Sequence, residues 1–249
     1  MAVPLSPKMR DVCDGAERGH VAAQLLLGQA LLDGVLIERD QAQALAWFTI
    51  AARAGHAPAM NMLGRCLERG WGCTADPANA ATWYRAASIT GDNWARYNLA
   101  NMLMRGRGVP RQQHEAWRLF LAAAQDGHAK SMNLVARFLD EGWCVPQDRV
   151  AALSWYRRSA EAGDYRGQHN LATLLAEAGQ VPDALAWWTR ALPDATQDIL
   201  QAMRETLALL PGGEAADLHR RVTERLLPLG QHPAGEKETI RTDRRRKSG

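Results

Sequence analysis

The sequence predicts an all-α solenoid of helix-turn-helix repeats, and three sets of evenly spaced residues predict it. Gly19, Gly55, Gly91, Gly127 and Gly163 follow one another at 36-residue intervals, as do Gly34, Gly70, Gly106 and Gly142. Leu27, Leu63, Leu99, Val135 and Leu171 keep the same interval, each followed by glycine or alanine. Trp47, Trp83 and Trp155 form a third column, with Leu119 in the remaining copy, and beside them stand Phe48, Tyr84, Phe120 and Tyr156. A unit of this length holds one pair of helices. Such a pair cannot bury its apolar flank alone and stacks on copies of itself.

Residues 1–19 form an N-terminal segment with a short capping helix, of which 1–8 read as disordered. Four full units follow at 20–55, 56–91, 92–127 and 128–163. The second shows the pattern best. Ala59, Met62, Leu63, Cys66 and Leu67 are spaced as on one side of a helix over 57–69. Gly70-Trp71-Gly72-Cys73-Thr74-Ala75 makes the turn. Asp76 is a helix cap, with Pro77 at the first helical position. A second helix over 78–90 carries Ala80, Trp83, Tyr84 and Ala87 on one face and stops at Gly91, a residue suited to the left-handed conformation. Asp40 and Asp148 repeat the cap, and Gln112 departs from it. The small residue after each Leu predicts a close helix crossing, where a leucine at Gly64 would cost roughly 1–3 kcal/mol. The tryptophan column is expected to fill the volume left open there.

A fifth unit over 164–195 is shortened. Leu171 to Trp187 spans 16 residues where Leu63 to Trp83 spans 20, so the turn at Glu177–Gln180 has lost four. Two more helices, over 196–210 and 214–229 with Pro211-Gly212-Gly213 between them, leave the repeat and are expected to cap the array across 196–230. The last segment, 231–249, reads as a basic disordered tail.

Composition narrows the function classes. Hydrophobic residues make up 47% of the 249, which is enough for a large core. No apolar run is long enough to span a membrane and no signal-peptide pattern is visible, so the expected location is cytoplasmic. The net charge of +3 comes from the tail alone: without 231–249 the chain has 24 basic and 24 acidic residues. Cys13, Cys66, Cys73 and Cys144 lack regular spacing and are expected to be reduced thiols.

The columns A-x-x-x-L-G, G-x-G-V and D-x-x-x-A-x-x-W-Y-x-x-A-A-x-x-G resemble the Sel-one-like repeat family, a relative of the tetratricopeptide repeat. In the second unit the matching residues are Ala59, Leu63-Gly64, Gly70, Gly72, Asp76, Ala80, Trp83-Tyr84, Ala86-Ala87 and Gly91. The third and fourth units have alanine where Leu-Gly has glycine. The regular cysteine pairs of the family's secreted members are absent. The resemblance spans roughly 20–195. It implies a right-handed α/α superhelix whose first helices line a concave face, and a non-catalytic scaffold or adaptor without cofactor.

If the Leu63 side of each first helix packs inward, the opposite stripe faces the groove. The candidate partner-binding residues are then Asn61, Arg65 and Glu68; Trp94, Tyr97 and Asn101; Lys130, Asn133, Arg137 and Asp140; and Arg166, His169 and Thr173. Amides and mostly basic charge there suit an extended peptide or protein partner. The first unit offers Ala22, Leu25, Gln29 and Leu32, an apolar end.

Three alternatives compete. His20, His56 and His128 each follow a repeat glycine, where Asp92 and Asp164 stand in other units, so a turn or cap role outweighs metal binding. No zinc-protease, phosphate-loop or nucleophile-elbow motif is present, which sets aside an enzyme, an enzyme accessory or a hydrolase-like role. Arg244-Arg245-Arg246-Lys247 could hold nucleic acid, though a terminal charge run is more often a solvated tail. The chain is expected to be a monomer without catalytic, cofactor or metal residues and without membrane contact.

Overall fold

A computed structural model describes residues 5–227. Among these residues all regular structure is helical, in thirteen helices. After α1 (Pro7–Glu17) come five pairs: α2 (Val21–Asp33) with α3 (Gln41–Arg53), α4 (Ala57–Arg69) with α5 (Pro77–Ile89), α6 (Asn93–Arg105) with α7 (Gln113–Gln125), α8 (Ala129–Glu141) with α9 (Arg149–Glu161), and α10 (Tyr165–Glu177) with α11 (Val181–Ala191). Within each pair the helices pack on each other, and each pair packs on the next. The N-terminal compact unit ends at Ala191 and a second begins at Leu192. In the second unit α12 (Gln197–Leu207) and α13 (Gly213–Leu226) pack together, burying Leu200, Met203, Leu207, Ala215, Leu218 and Val222.

The chain start differs from the expectation of disorder through residue 8. Ser6 is an N-cap whose Oγ accepts the Met9 N–H at 3.2 Å, and Pro7 opens α1 because its missing N–H is not needed there. Met9 and Ala16 are buried.

Asp40, Asp76 and Asp148 cap α3, α5 and α9 by accepting the N–H of Gln43, Asn79 and Ala151 at 2.9–3.0 Å. Gln112, at the same position before α7, makes no such bond. Gly34, Gly70, Gly106 and Gly142 end α2, α4, α6 and α8 in the left-handed conformation. The second glycine of Gly-x-Gly has a separate role between repeats. A Cβ on Gly72 would lie 2.2 Å from the Gln41 carbonyl oxygen, and one on Gly108 would lie 2.5 Å from the Pro77 carbonyl carbon. Each turn thus rests directly on the backbone that opens the preceding repeat's second helix. The fourth repeat has Cys144 in this column, a non-glycine residue at φ 51°. A cleft of about 780 Å³ lies beside it, lined by Arg111, Gln112, Gln113, His114, Glu115 and Arg118.

The tryptophans do not fill the space over the small residues. Trp47, Trp83 and Trp155 are half-buried, whereas the aromatic residue after each is fully enclosed, as is Phe120. A Cβ on Gly28 would meet the Phe48 ring at 2.6 Å, and one on Gly64 the Tyr84 ring at 2.7 Å. Ring and missing side chain are complementary volumes at close packing. In the shortened fifth pair Trp188 is the fully buried ring.

Candidate functional site

α4 touches α6 directly and α8 touches α10, whereas among the described residues no successive second helices make as dense a contact. First helices therefore lie on the tighter side of the stack. Side-chain amides join them across repeats: Asn98 donates to the Asn61 Oδ1 at 2.9 Å, and Asn170 donates to the Asn133 Oδ1 at 2.8 Å. Asn61 and Asn133 are buried by these clasps. Their partners sit one position past the stripe expected from the sequence. A 72-residue super-period, Asn61 with Asn133, Arg65 with Arg137, and Trp71 with Trp143, is the signal that would have revealed them.

Other stripe residues divide between internal and outward roles. Glu68 accepts the Tyr84 hydroxyl at 2.9 Å and an Arg107 N–H at 3.1 Å. Asp140 accepts the Tyr156 hydroxyl at 3.5 Å and faces Arg149 at 3.7 Å. Burial first, and the adjacent carboxylate second, push both tyrosine hydroxyls well above their usual range, so they stay protonated donors. His169 is buried, and its Nδ1 accepts the Trp188 indole N–H at 3.1 Å, which places its own proton on Nε2. Thr173 donates to the His169 carbonyl, and Asn101 donates to the Tyr97 carbonyl. In the first unit Leu32 is buried while Leu26 is 57% exposed, so the apolar end is carried by Leu25 and Leu26, and Leu32 belongs to the core.

What remains outward is aromatic and cationic. Trp94 is 49% exposed. Lys130 lies over its ring at 5.0 Å, Arg65 over Trp71 at 5.3 Å, Arg137 over Trp143 at 4.9 Å, and Arg166 over Tyr165 at 4.6 Å. Arg158 and Arg190, on second helices, stack in the same way on Trp155 and Trp187. The ion pairs found among the described residues use other cations, including Arg85 with Glu115 and Arg96 with Asp126.

The histidine column occupies N-cap positions, yet the side chains of His20, His56 and His128 do not cap. Asp92 and Asp164 do, accepting the Ala95 and Gly167 N–H. A carboxylate oxygen presents a free acceptor to the helix N–H groups; an imidazole presents one only in the right tautomer and orientation. His128 instead packs edge-on to Trp94 and Tyr97, with ring centroids at 4.6 and 5.2 Å, and its Nδ1 lies 2.8 Å from the Ser131 Oγ. Burial, reinforced by Lys130, lowers its pKa to about 4. Its folded pKa thus lies below the unfolded value of about 6.5, so the unfolded chain takes up its proton first as pH falls. Stability from His128 is present above pH 6.5 and is lost between about pH 6.5 and 4. The His128→Gln variant is expected to show a smaller drop in melting temperature between pH 7 and pH 5 than the parent. An equal drop in both proteins would remove His128 as the cause.

No group of three or more His, Cys, Asp or Glu side chains suited to a metal is found among the described residues. The cysteines are free thiols, and burial pushes that of Cys66 up to about 12, which leaves it protonated and unreactive. No described helix is long and apolar enough to cross a membrane. The basic cluster Arg244–Lys247 lies outside the described residues.

Helix pairs that repeat at a fixed interval and stack each on the next define an α/α repeat solenoid. The chain belongs to the Sel1 repeat family, whose model matches residues 21–56, 57–91, 95–128 and 129–164, more than half of its length. Among solved structures it is similar to a protective antigen of uropathogenic Escherichia coli with an SLR fold, at 26% identity and a TM-score of 0.70. That match covers 87% of this chain and 48% of the antigen, so the chain spans about half the length of that relative. It is also similar to a Sel1 repeat protein from Oxalobacter formigenes, at 21% identity and a TM-score of 0.74, covering 88% of this chain and 98% of that one. An immunity protein from Pseudomonas aeruginosa, at 15% identity and a TM-score of 0.57 over 90% of this chain and 83% of its own, shares the fold. No curated protein matches the sequence significantly.

Proposed function

We propose that this Sel1 repeat protein is a non-catalytic scaffold that holds an extended segment of a protein partner along the inner face of its first helices. The observation that carries this reading is the half-exposed Trp94 with Lys130 over its ring, together with Arg137 over Trp143, on helices clasped to neighbouring first helices by asparagine pairs. A large ring held on a rigid element loses little entropy on contact and gives binding energy at small area. Cations beside it supply directional donors.

The packing changes which substitutions test the reading. Tyr97 lies against Phe120 at 5.9 Å between ring centroids, so its removal perturbs the core as well as the face. Trp94→Ala and Arg137→Ala are the cleaner probes. Paired, they are expected to weaken capture of the native partner at least tenfold while the helical melting temperature moves by no more than a few degrees. Photo-crosslinking from position 101 should yield the same adduct, lost on adding both substitutions, and position 118 on α7 should not. Adducts formed only from position 118 would place the binding surface elsewhere.

A further inference from the structure

We infer that the stacked pairs bend at one built-in hinge, the junction between the third and fourth repeats, without any helix unfolding. Junctions are numbered here from the one between the first and second repeats, so the hinge is the third. Two kinds of contact fix the other junctions, and the third has neither. The first kind is the amide clasp on the inner face. Asn98 with Asn61 joins α6 to α4, and Asn170 with Asn133 joins α10 to α8. In the same columns the first junction has Leu25 and Met62, and the third has Tyr97 and Leu134. A hydrogen bond holds only over a narrow range of distance and angle, whereas apolar contact is non-directional and survives rocking.

The turns supply the second kind of contact. Gly72 rests on the start of α3 and Gly108 on the start of α5, where a Cβ would lie 2.2 and 2.5 Å from backbone atoms. The third junction has Cys144 in this column, and its side chain bars so close a seat. Here the cleft of about 780 Å³ is lined by Cys144 and by the start of α7 at Gln113 and His114. The first junction thus lacks a clasp but keeps its glycine seat. The second has both, and Arg85 with Glu115 and Arg107 with Glu68 add ion pairs across it. At the fourth, the clasp is joined by the Ser159 hydroxyl donating to Asp164 and by Gln168 donating to the Ala160 carbonyl.

What crosses the third junction among the described residues is ring contact. Trp94 and Tyr97 lie against His128, Lys130 lies over Trp94, and Trp117 and Phe120 lie against Phe138. α6 and α8 accordingly approach less closely than α4 and α6, or α8 and α10. The core continues through the Phe120–Phe138 pair, whose centroids are 6.0 Å apart, and that pair is the pivot. Hinges concentrate movement at a few positions between rigid blocks. Bending at this one changes the separation of Trp94 on α6 from Lys130 on α8, whether or not the inner face takes a partner.

Double electron–electron resonance on the full chain tests the hinge. Arg53, Ile89, Gln125 and Glu161 are exposed and share one column, as the last residues of α3, α5, α7 and α9. Spin labels carried on noncanonical residues leave the native cysteines in place. Labels at 53 and 125 span the first and second junctions; labels at 89 and 161 span the second and third. The 89–161 distance distribution is expected to be about twice as broad as the 53–125 one. Cys144→Gly restores the seat and should narrow the 89–161 distribution toward the width of the other. Tyr97→Asn with Leu134→Asn copies the clasp and should do the same, while Asn98→Leu should broaden the 53–125 distribution. Equal widths in the parent would overturn the inference, as would a broad 89–161 distribution that Cys144→Gly leaves unchanged. Tyr97 packs on Phe120, so if the double variant does not fold, Cys144→Gly decides.

Discussion

Gly72→Ala is expected to lower stability by about 2–5 kcal/mol, although it adds a single methyl group. Two effects combine. At φ +76° an L-residue carries a left-handed penalty of about 1–2 kcal/mol. The new Cβ would also fall 2.2 Å from the Gln41 carbonyl oxygen and 2.6 Å from its carbon, inside van der Waals contact with backbone that no rotamer change can move. Overpacking costs about 1–3 kcal/mol even against side chains that yield. Gly55→Ala separates the two effects. Gly55 has φ +86° but nothing within 4 Å of the added atom, so only the conformational part, about 1–2 kcal/mol, should appear. Urea unfolding of both variants measures the difference. If Gly72→Ala is no worse than Gly55→Ala, the turn does not rest on the preceding repeat as described.

That contact shows where the sequence was legible. Periodicity of glycine, leucine and aromatic residues gave the helix pairs, because a repeated pair must repeat the residues that end and bury it. α4 begins and ends where the spacing around Leu63 places it, and Asp76 caps α5 through the predicted bond. Spacing shows that Gly70 and Gly72 recur, but not that one ends a helix and the other meets a neighbouring repeat. The same limit applies to Trp83 and Tyr84. Both lie in register, and only packing shows that Tyr84 faces Gly64 while Trp83 stays at the rim. Within the candidate site, helical geometry picks out one stripe on each first helix. It could not show that Asn61 and Asn133 are engaged by Asn98 and Asn170, since the outcome depends on a neighbour one repeat away. Arg65 and Arg137 were legible as cations, whereas their lack of carboxylate partners is a property of the assembled face.

Phe120→Ala should be as damaging as Gly72→Ala and should change the form of unfolding as well. The ring is fully buried and stands between Tyr97, at 5.9 Å, and Phe138, at 6.0 Å, in the core shared by the second to fourth repeats. Truncation of a buried phenylalanine costs about 3–5 kcal/mol, and in a chain of this size roughly 6–20 °C of melting temperature. A globular core would spread that loss over one cooperative transition. In a repeat array each unit is coupled only to its neighbours, so a weak central unit decouples the two ends. The N-terminal core around Leu27, Phe48 and Leu63 is a separate cluster and keeps its own contacts. Hydrogen exchange should therefore find α2 to α4 still protected under conditions where α6 to α8 have opened. In the parent protein the two regions should open together. Uniform loss of protection along the variant would mean that coupling between repeats exceeds the stability of each, and the nearest-neighbour description of this array would fail.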